Sequence, residues 1–413
     1  MKYNFNSTFS QKRPVIVIFV SHYEPGYMSG GPVRSIVNLV NSLNNEFNFF
    51  IITSDRDWGS YEPYKDIIND SWNDLGNSKV FYLPPERKNF RSVLKLLNSI
   101  NYDLVYLNSF FDPVFTQIPL WLRFLGFLPK RPYILAPRGE FSAGAFALKK
   151  WKKLPYTWIT RKIGLYANII WQASTVFESE DIKTLFDNDV KIHKAVVIAC
   201  DVPGDVPGDV PGDVPGDVPG DVPGDVPGDV PLKVIFLSRI TPKKNLDFAL
   251  EVLSLVKIKV EFNIYGPIGE SEYWSKCTSL INNLPRNVLA RYHGPILHSE
   301  VSRVMRDHDL FFFPTHGENY GHVIAESLIA GTPILISDTT PWKNLTQAGV
   351  GWDLPLSQIG HFVTLINDFA TISMGDIDKM RKNVRDYGIR KTLNLNAINE
   401  NRDMFLINIQ ASS

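Results

Sequence analysis

The sequence predicts an α/β protein of two doubly wound halves, each a largely parallel sheet flanked by helices, facing one another across a cleft. Three observations predict it. Short apolar runs without polar alternation recur between amphipathic segments, as in parallel strands buried on both faces. That pattern fills the first two hundred residues and starts again at Lys233. Between the two runs lies a tract of Asp-Val-Pro-Gly repeats, which marks a seam.

In the first run, Val15–Val20 reads as a buried strand, Pro32–Leu43 as a helix and Phe49–Thr53 as a strand. Arg91–Ile100 reads as a helix, Leu104–Leu107 as a strand, and Ile134–Ala136 as a short strand before a long helical region. The second run gives strands at Lys233–Leu237, Val260–Tyr265, Leu310–Phe313 and Pro333–Ile336. Helices alternate with them at Leu246–Leu255, Glu272–Leu280 and Val323–Ala330. Strands joined through helices imply right-handed crossovers. Ligands of such sheets bind at the carboxyl ends of strands, so the cleft between the halves is the expected site.

With 413 residues, 44% of them hydrophobic, the chain can bury more than one core. No run of about 18 uncharged apolar residues occurs, so no transmembrane helix is expected. The residues before Pro14 lack the apolar stretch of a signal peptide. Cys200 and Cys277 allow one disulfide and exclude a disulfide framework, which fits a reducing, cytoplasmic setting. The formal charge is zero, yet eight of the 43 acidic residues are aspartates of the tract. The rest of the chain holds 35 acidic and 43 basic residues, a surplus of eight positive charges. That surplus suits a phosphate-bearing substrate or an anionic membrane surface. Nucleic acid is not an expected partner, because no known binding motif accompanies the charge.

The tract holds seven complete copies from Asp201 to Gly228, then Asp229-Val230-Pro231. Pro-Gly suits the central positions of a type II turn, and valine is the tract's only large apolar residue. Loosely coupled turns or disorder are expected. An expanded repeat tolerated in an exposed connection is preferred to a dedicated spacer or hinge.

Three segments carry the chemistry. Pro314-Thr-His-Gly-Glu318-Asn-Tyr-Gly321 follows the strand ending at Phe313 and leads into a helix that holds Glu326. The free N–H groups and dipole of that helix start form an anion site suited to a diphosphate. Ser238-Arg239-Ile-Thr-Pro-Lys243-Lys244 follows the strand ending at Leu237, so Arg239 and Lys244 also lie at a carboxyl edge. Such cations can neutralise a departing nucleotide diphosphate. Gly30-Gly31-Pro32-Val33-Arg34 joins the first strand to its helix, and its glycines serve either a turn or close backbone approach to a ligand.

Together with Gly331-Thr-Pro333, the pair Arg239 and Lys244 and the Glu318-x7-Glu326 spacing resemble the retaining glycosyltransferases of family 4, over nearly the whole chain outside the repeat. The resemblance implies the GT-B fold: two Rossmann-like domains facing a central cleft. Residues 1–200 would form the acceptor domain, 201–231 a linker, and 232–413 the nucleotide-sugar domain with C-terminal helices. It further implies that Arg239 and Lys244 hold the donor diphosphate, Glu318 the donor sugar and Glu326 the ribose. Backbone groups of Asn319, Tyr320 and Gly321 would line the sugar and phosphate, and Gly30 and Gly31 would approach the phosphate from the first domain. Pro137-Arg138-Gly139-Glu140 resembles a variant found in polysaccharide-building members, which implies that Arg138 faces the reacting sugar. Other members carry histidine there, and Asn108-Ser109 also stands where many relatives have histidine, so no general base is evident in the first domain. The implied same-face mechanism lets the departing phosphate oxygen take the acceptor's proton. The implied activity is sugar transfer from a nucleotide sugar to a glycan or lipid-linked acceptor in building a cell-surface polysaccharide such as lipopolysaccharide or capsule, without metal or further cofactor. Two rivals stand beside it: an epimerase of the nucleotide sugar on the same fold, and a non-catalytic spacer or binding protein.

Other features read more plainly. Asp55-Arg56-Asp57 and Asp187-Asn188-Asp189 are expected to be exposed turns rather than metal motifs. His316 and His322 flank the Glu318 loop and serve either the pocket or the loop, and Trp342 is expected to be a packed aromatic. Phe141 to Phe177 contains no acidic residue but holds Lys149, Lys150, Lys152, Lys153, Arg161 and Lys162 with Trp151, Tyr156 and Trp158. With Trp121, Phe124, Phe127, Lys130 and Arg131, this region is either a solvated helical face or a peripheral contact with an anionic membrane leaflet.

Overall fold

The computed structural model describes residues 13–142, 146, 150–186, 190–196, 198, 230–392 and 395–411. The Asp-Val-Pro-Gly tract through Asp229, Cys200, Lys149 and the stretch Asp187-Asn188-Asp189 lie outside the described residues.

Two sheets form. The first comprises β1 (Val15–Phe19), β2 (Asn48–Ser54), β3 (Trp72–Asp74), β4 (Lys79–Leu83), β5 (Leu104–Asn108), β6 (Tyr133–Ala136), β7 (Ile170–Ala173) and β8 (Ile192–Lys194). Its order is β3-β4-β2-β1-β5-β6-β7-β8, parallel except for the edge pair β3–β4. The second comprises β9 (Leu232–Leu237), β10 (Val260–Tyr265), β11 (Val288–Gly294), β12 (Leu310–Phe313), β13 (Ile334–Ser337) and β14 (Gly351–Leu354), ordered β11-β10-β9-β12-β13-β14 and parallel throughout. Every residue of β1, β5, β6 and β12 is buried, which is why their sequences run apolar without alternation. The architecture is the predicted one, and the strand order reverses between β1 and β5 and between β9 and β12.

The helix ends are set by local chemistry. The helix Gly31–Leu43 starts with Pro32, whose missing N–H costs nothing at a first-turn position. The helix His322–Ala330 is bounded by Gly321 and Gly331, both left-handed at φ 84°. It lies so close to the helix Met374–Thr392 that a Cβ on Gly388 would sit 2.6 Å from the Leu328 carbonyl carbon. A larger residue there would push away the helix that carries Glu326.

The chain then crosses back to the first sheet. The helix Leu395–Gln410 buries Ala397, Met404 and Phe405 among residues of β1, β2 and β5. The Phe405 ring lies 5.5 Å from Phe47, 6.4 Å from Phe49 and 5.5 Å from Tyr106, each at a steep angle. Cys277 is buried in the core of the second sheet. Among the described residues, no helix is long and apolar enough to cross a membrane.

Candidate functional site

The loops after β9 and β12 are neighbours because their strands pair at the reversal of strand order. Three bonds fasten them together. Asn245 Nδ2 donates to the Pro314 carbonyl at 2.9 Å, Thr315 Oγ1 to the Lys243 carbonyl at 3.0 Å, and the His316 amide to that same carbonyl at 2.8 Å. Asn245 adopts φ 61°, a left-handed conformation that asparagine tolerates better than most residues. The result brings Lys244 Nζ to 2.5 Å from Glu318 Oε1, which also accepts from Thr315 Oγ1 at 3.1 Å.

Arg239 leaves the end of β9 and spans the cleft. Its Nη2 donates to the Ser29 carbonyl at 2.8 Å, and its guanidinium lies 4.7 Å from the centre of the Trp58 ring. Its buried Nε has no partner, and burial lowers its pKa against the pull of Asp57. Burial likewise lowers Lys243, with Glu318 opposing. The loop holding Arg239 is pressed against Gly266, where a Cβ would stand 2.0 Å from the Ser238 carbonyl oxygen. Gly266 therefore permits the approach.

On the helix His322–Ala330, Glu326 turns into the cleft and is pushed up to about 7 by burial, with Arg34 opposing. His298 Nδ1 stands 3.6 Å from Glu326 Oε1. Burial, then Arg34, holds His298 down at about 4, so at neutral pH this contact joins a neutral imidazole to a carboxyl rather than two ions. His322 Nε2 lies 2.9 Å from Ser35 Oγ, a direct link between the two halves. Burial first, then Arg138, lowers His322 to about 3, so it stays neutral, and its buried Nδ1 has no partner.

The opposite wall comes from the first sheet. Gly30, at φ 68°, precedes the helix Gly31–Leu43, and a Cβ on Gly31 would meet His322 Cδ2 at 3.4 Å. Gly30 thus makes the turn, while a methyl group on Gly31 would meet His322 at no closer than ordinary contact distance. Arg138 follows β6 in a left-handed conformation, φ 57°. It donates from Nη2 to Tyr106 Oη at 2.7 Å and to Asn108 Oδ1 at 2.8 Å, and from Nε to Asn108 Oδ1 at 3.2 Å. Gly139 faces Asn319 across the cleft, where a Cβ would be 3.3 Å from that of Asn319.

These walls enclose about 390 Å³ lined by all ten residues singled out from the sequence, within the range of small-molecule sites. Five cations line the space (Arg34, Arg138, Arg239, Lys243 and Lys244) against the carboxylates Glu318 and Glu326. The arrangement can hold a polyanion and surround a bond that breaks toward it. Among the described residues, no three or more His, Cys, Asp or Glu side chains are grouped to hold a metal ion.

One expectation needs correction. Asp55 and Asp57 are not an exposed turn but are buried at 1% and 8% exposure. Asp55 pairs with Arg56, and Asp57 accepts the amides of Tyr27, Met28 and Trp58, which shapes the loop that meets Arg239. His316 is exposed and does not line the cleft, whereas His322 does. Trp342 packs as expected, and its indole N–H also donates to the Tyr320 carbonyl at 2.7 Å, fixing the Glu318 loop from behind. Sequence reasoning assigned no role to Arg34, Ser35, Trp58 or His298. Arg34 and Ser35 lie on the helix that follows the quoted Gly-Gly pair. Trp58 and His298 carry no local signal, because only folding brings them here.

The two parallel sheets facing a cleft define an α/β architecture of the GT-B type. Residues 227–391 match the family model of glycosyl transferases group 1. A phosphatidyl-myo-inositol mannosyltransferase of Mycobacterium leprae is 27% identical over 135 residues, 32% of this chain and 32% of that protein, so the match spans about a third of the relative. Among solved structures, sucrose-phosphate synthase from Thermosynechococcus elongatus aligns over 97% of this chain and 100% of its own, with TM-score 0.65 and 15% identity. HepE of Anabaena, solved with UDP and glucose, aligns over 96% and 99% with TM-score 0.63 and 14% identity. WaaG, a glycosyltransferase involved in lipopolysaccharide biosynthesis, aligns over 94% and 99% with TM-score 0.60 and 14% identity.

Proposed function

We propose that the protein is a retaining glycosyltransferase of family 4 that moves a sugar from a nucleotide-diphosphate sugar to a glycan or lipid-linked acceptor in cell-surface polysaccharide assembly. The observation that carries this reading is the joining of Arg239, Lys244 and Glu318 across two zipped loops, at the N-terminus of the helix that bears Glu326. The donor's bond between anomeric carbon and phosphate oxygen breaks, and its electron pair goes to the departing diphosphate. Arg239, Lys244 and the helix N–H groups stabilise that charge. The acceptor hydroxyl oxygen bonds to the anomeric carbon from the same face, and its proton passes to the departing phosphate oxygen. Glu318 holds the donor sugar, Glu326 the ribose, and the backbone of Asn319, Tyr320 and Gly321 the sugar and phosphate. Gly30 and Gly31 bring backbone to the phosphate. The HepE complexes with UDP and with UDP-glucose support a uridine donor as the first to try.

The helix Lys150–Lys162 supports a peripheral contact with an anionic leaflet on the cytoplasmic side. Trp151, Leu154 and Trp158 share one face at helical spacing and are exposed, as are Lys152, Arg161 and Lys162. Phe124, Leu125 and Phe127 add exposed apolar area. Tyr156, by contrast, turns inward onto Tyr166.

The test is incubation of the purified chain with UDP- and GDP-sugars, with and without an isoprenyl-phosphate-linked glycan. The reading requires a new glycosidic product that keeps the donor's anomeric configuration and is lost in Glu318→Ala. Conversion of the donor to an isomer without acceptor would favour an epimerase instead.

A further inference from the structure

We propose that Arg138 binds an anionic group, a carboxylate or a phosphate, carried by the transferred sugar or by the acceptor. The inference rests on the function proposed above and adds a substrate class to it. It starts from the charge of the first-domain wall. Arg138 stands in the cleft in a left-handed conformation, φ 57°, which is unfavourable for a non-glycine residue and persists only where surroundings enforce it. Its side chain is held by a pair of neutral oxygens. Tyr106 Oη and Asn108 Oδ1 accept from Nη2, and Asn108 Oδ1 also accepts from Nε, so one edge of the guanidinium is fixed. Nη1 makes no hydrogen bond among the described residues.

No carboxylate among the described residues pairs with this cation, although Glu140, two residues on, and Glu178, bonded to the Gly139 amide, lie close by. Glu140 accepts instead from Ser109 Oγ at 2.7 Å and from the amides of Phe110 and Phe111 at 2.6 and 3.1 Å. Glu178 accepts the amides of Gly139 at 2.6 Å and Ser174 at 2.8 Å. Both are committed to backbone amides, Glu140 to the Ser109 hydroxyl as well. Across the cleft, Glu318 is held by Lys244, and His322 is neutral. A half-buried guanidinium that is oriented on one edge and uncompensated in charge is built to meet an anion, most strongly through a paired N–H···O geometry. The donor's diphosphate does not call for it, since Arg239 and Lys244 on the other wall already match that charge. A uronic-acid donor sugar and a phosphate- or carboxylate-bearing acceptor supply the same chemistry, and the experiment separates them.

Calorimetric titration of the full chain uses two matched pairs. UDP-glucose against UDP-glucuronate tests the donor; in the presence of UDP, a short isoprenyl phosphate against the corresponding isoprenol tests the acceptor. The expected result is at least tenfold tighter binding of the anionic member of one pair, which is about 1.4 kcal/mol. Arg138→Gln should abolish that preference, and Arg138→Lys should retain part of it. Both variants should weaken UDP itself far less than they weaken the preferred anion, and a thermal melt checks that each is folded. The proposal is overturned if neither pair shows a charge preference, if the preference survives Arg138→Gln, or if UDP is weakened in equal proportion. Binding of UDP without any charge preference sinks this inference alone. Absence of binding by UDP and by GDP sinks the proposed function and this inference with it.

Discussion

Replacing Glu326 by glutamine should flatten the pH dependence of stability. The carboxyl is only 14% exposed, and burial lifts it from 4.5 to about 7. In the unfolded chain it ionises near 4.5, so between that pH and 7 the folded state holds a proton that the unfolded state has lost. Stability is then full below about 4.5 and falls as pH rises, by about 1.4 kcal/mol per pH unit. The loss comes to about 3 kcal/mol and is complete near pH 8, above which both states are ionised. Glutamine keeps the shape and cannot ionise, so the variant should lack this loss. Urea unfolding at pH 5 and pH 8 measures most of it: the wild type should lose about 2.5 kcal/mol more than Glu326→Gln over that interval, the other titrations cancelling in the difference. Parallel profiles, within about 1 kcal/mol, would refute the claim that the cleft holds this carboxyl out of water.

Lys244→Ala should lower transfer at least a hundredfold, about 2.7 kcal/mol or more in transition-state stabilisation, and a kinetic comparison with wild type checks it. Gly388→Ala should destabilise the fold by about 1–3 kcal/mol, because its methyl meets the Leu328 backbone rather than a yielding side chain; a denaturant midpoint reads this. Phe405→Ala should cost about 3–5 kcal/mol and expose the first sheet to proteolysis, since the ring packs on Phe47, Phe49 and Tyr106. Trp151→Ala with Trp158→Ala should weaken sedimentation with phosphatidylglycerol vesicles and leave transfer to a soluble acceptor unchanged.

Legibility followed the strength of the local pattern. β1, β5, β9, β10 and β12 are strongly apolar runs, and each was read within a residue or so of its observed bounds. The short strand β3, the half-exposed β8 and the mostly exposed β11 carry polar or charged residues and gave no such signal. β7 and β14 are only four residues long. Arg138, Arg239 and Glu318 lie in loops just beyond strand ends, where chain direction fixes the side of the sheet, and Glu326, inside the following helix, was singled out by its spacing from Glu318 in the family resemblance.

The sequence by itself determined two parallel sheets and the carboxyl edges that carry Arg239, Lys244, Glu318 and Glu326, because apolar periodicity and loop position are local properties. Only the tertiary structure decided that Arg239 reaches Ser29 and Trp58, that Ser35 meets His322, and that the last helix returns to the first sheet. It also decided that Asp57 is buried as a loop anchor and that Arg138 has no acidic partner among the described residues. Each of these joins residues far apart in the chain, and both the burial of a charge and the identity of its partner arise only when the chain closes on itself.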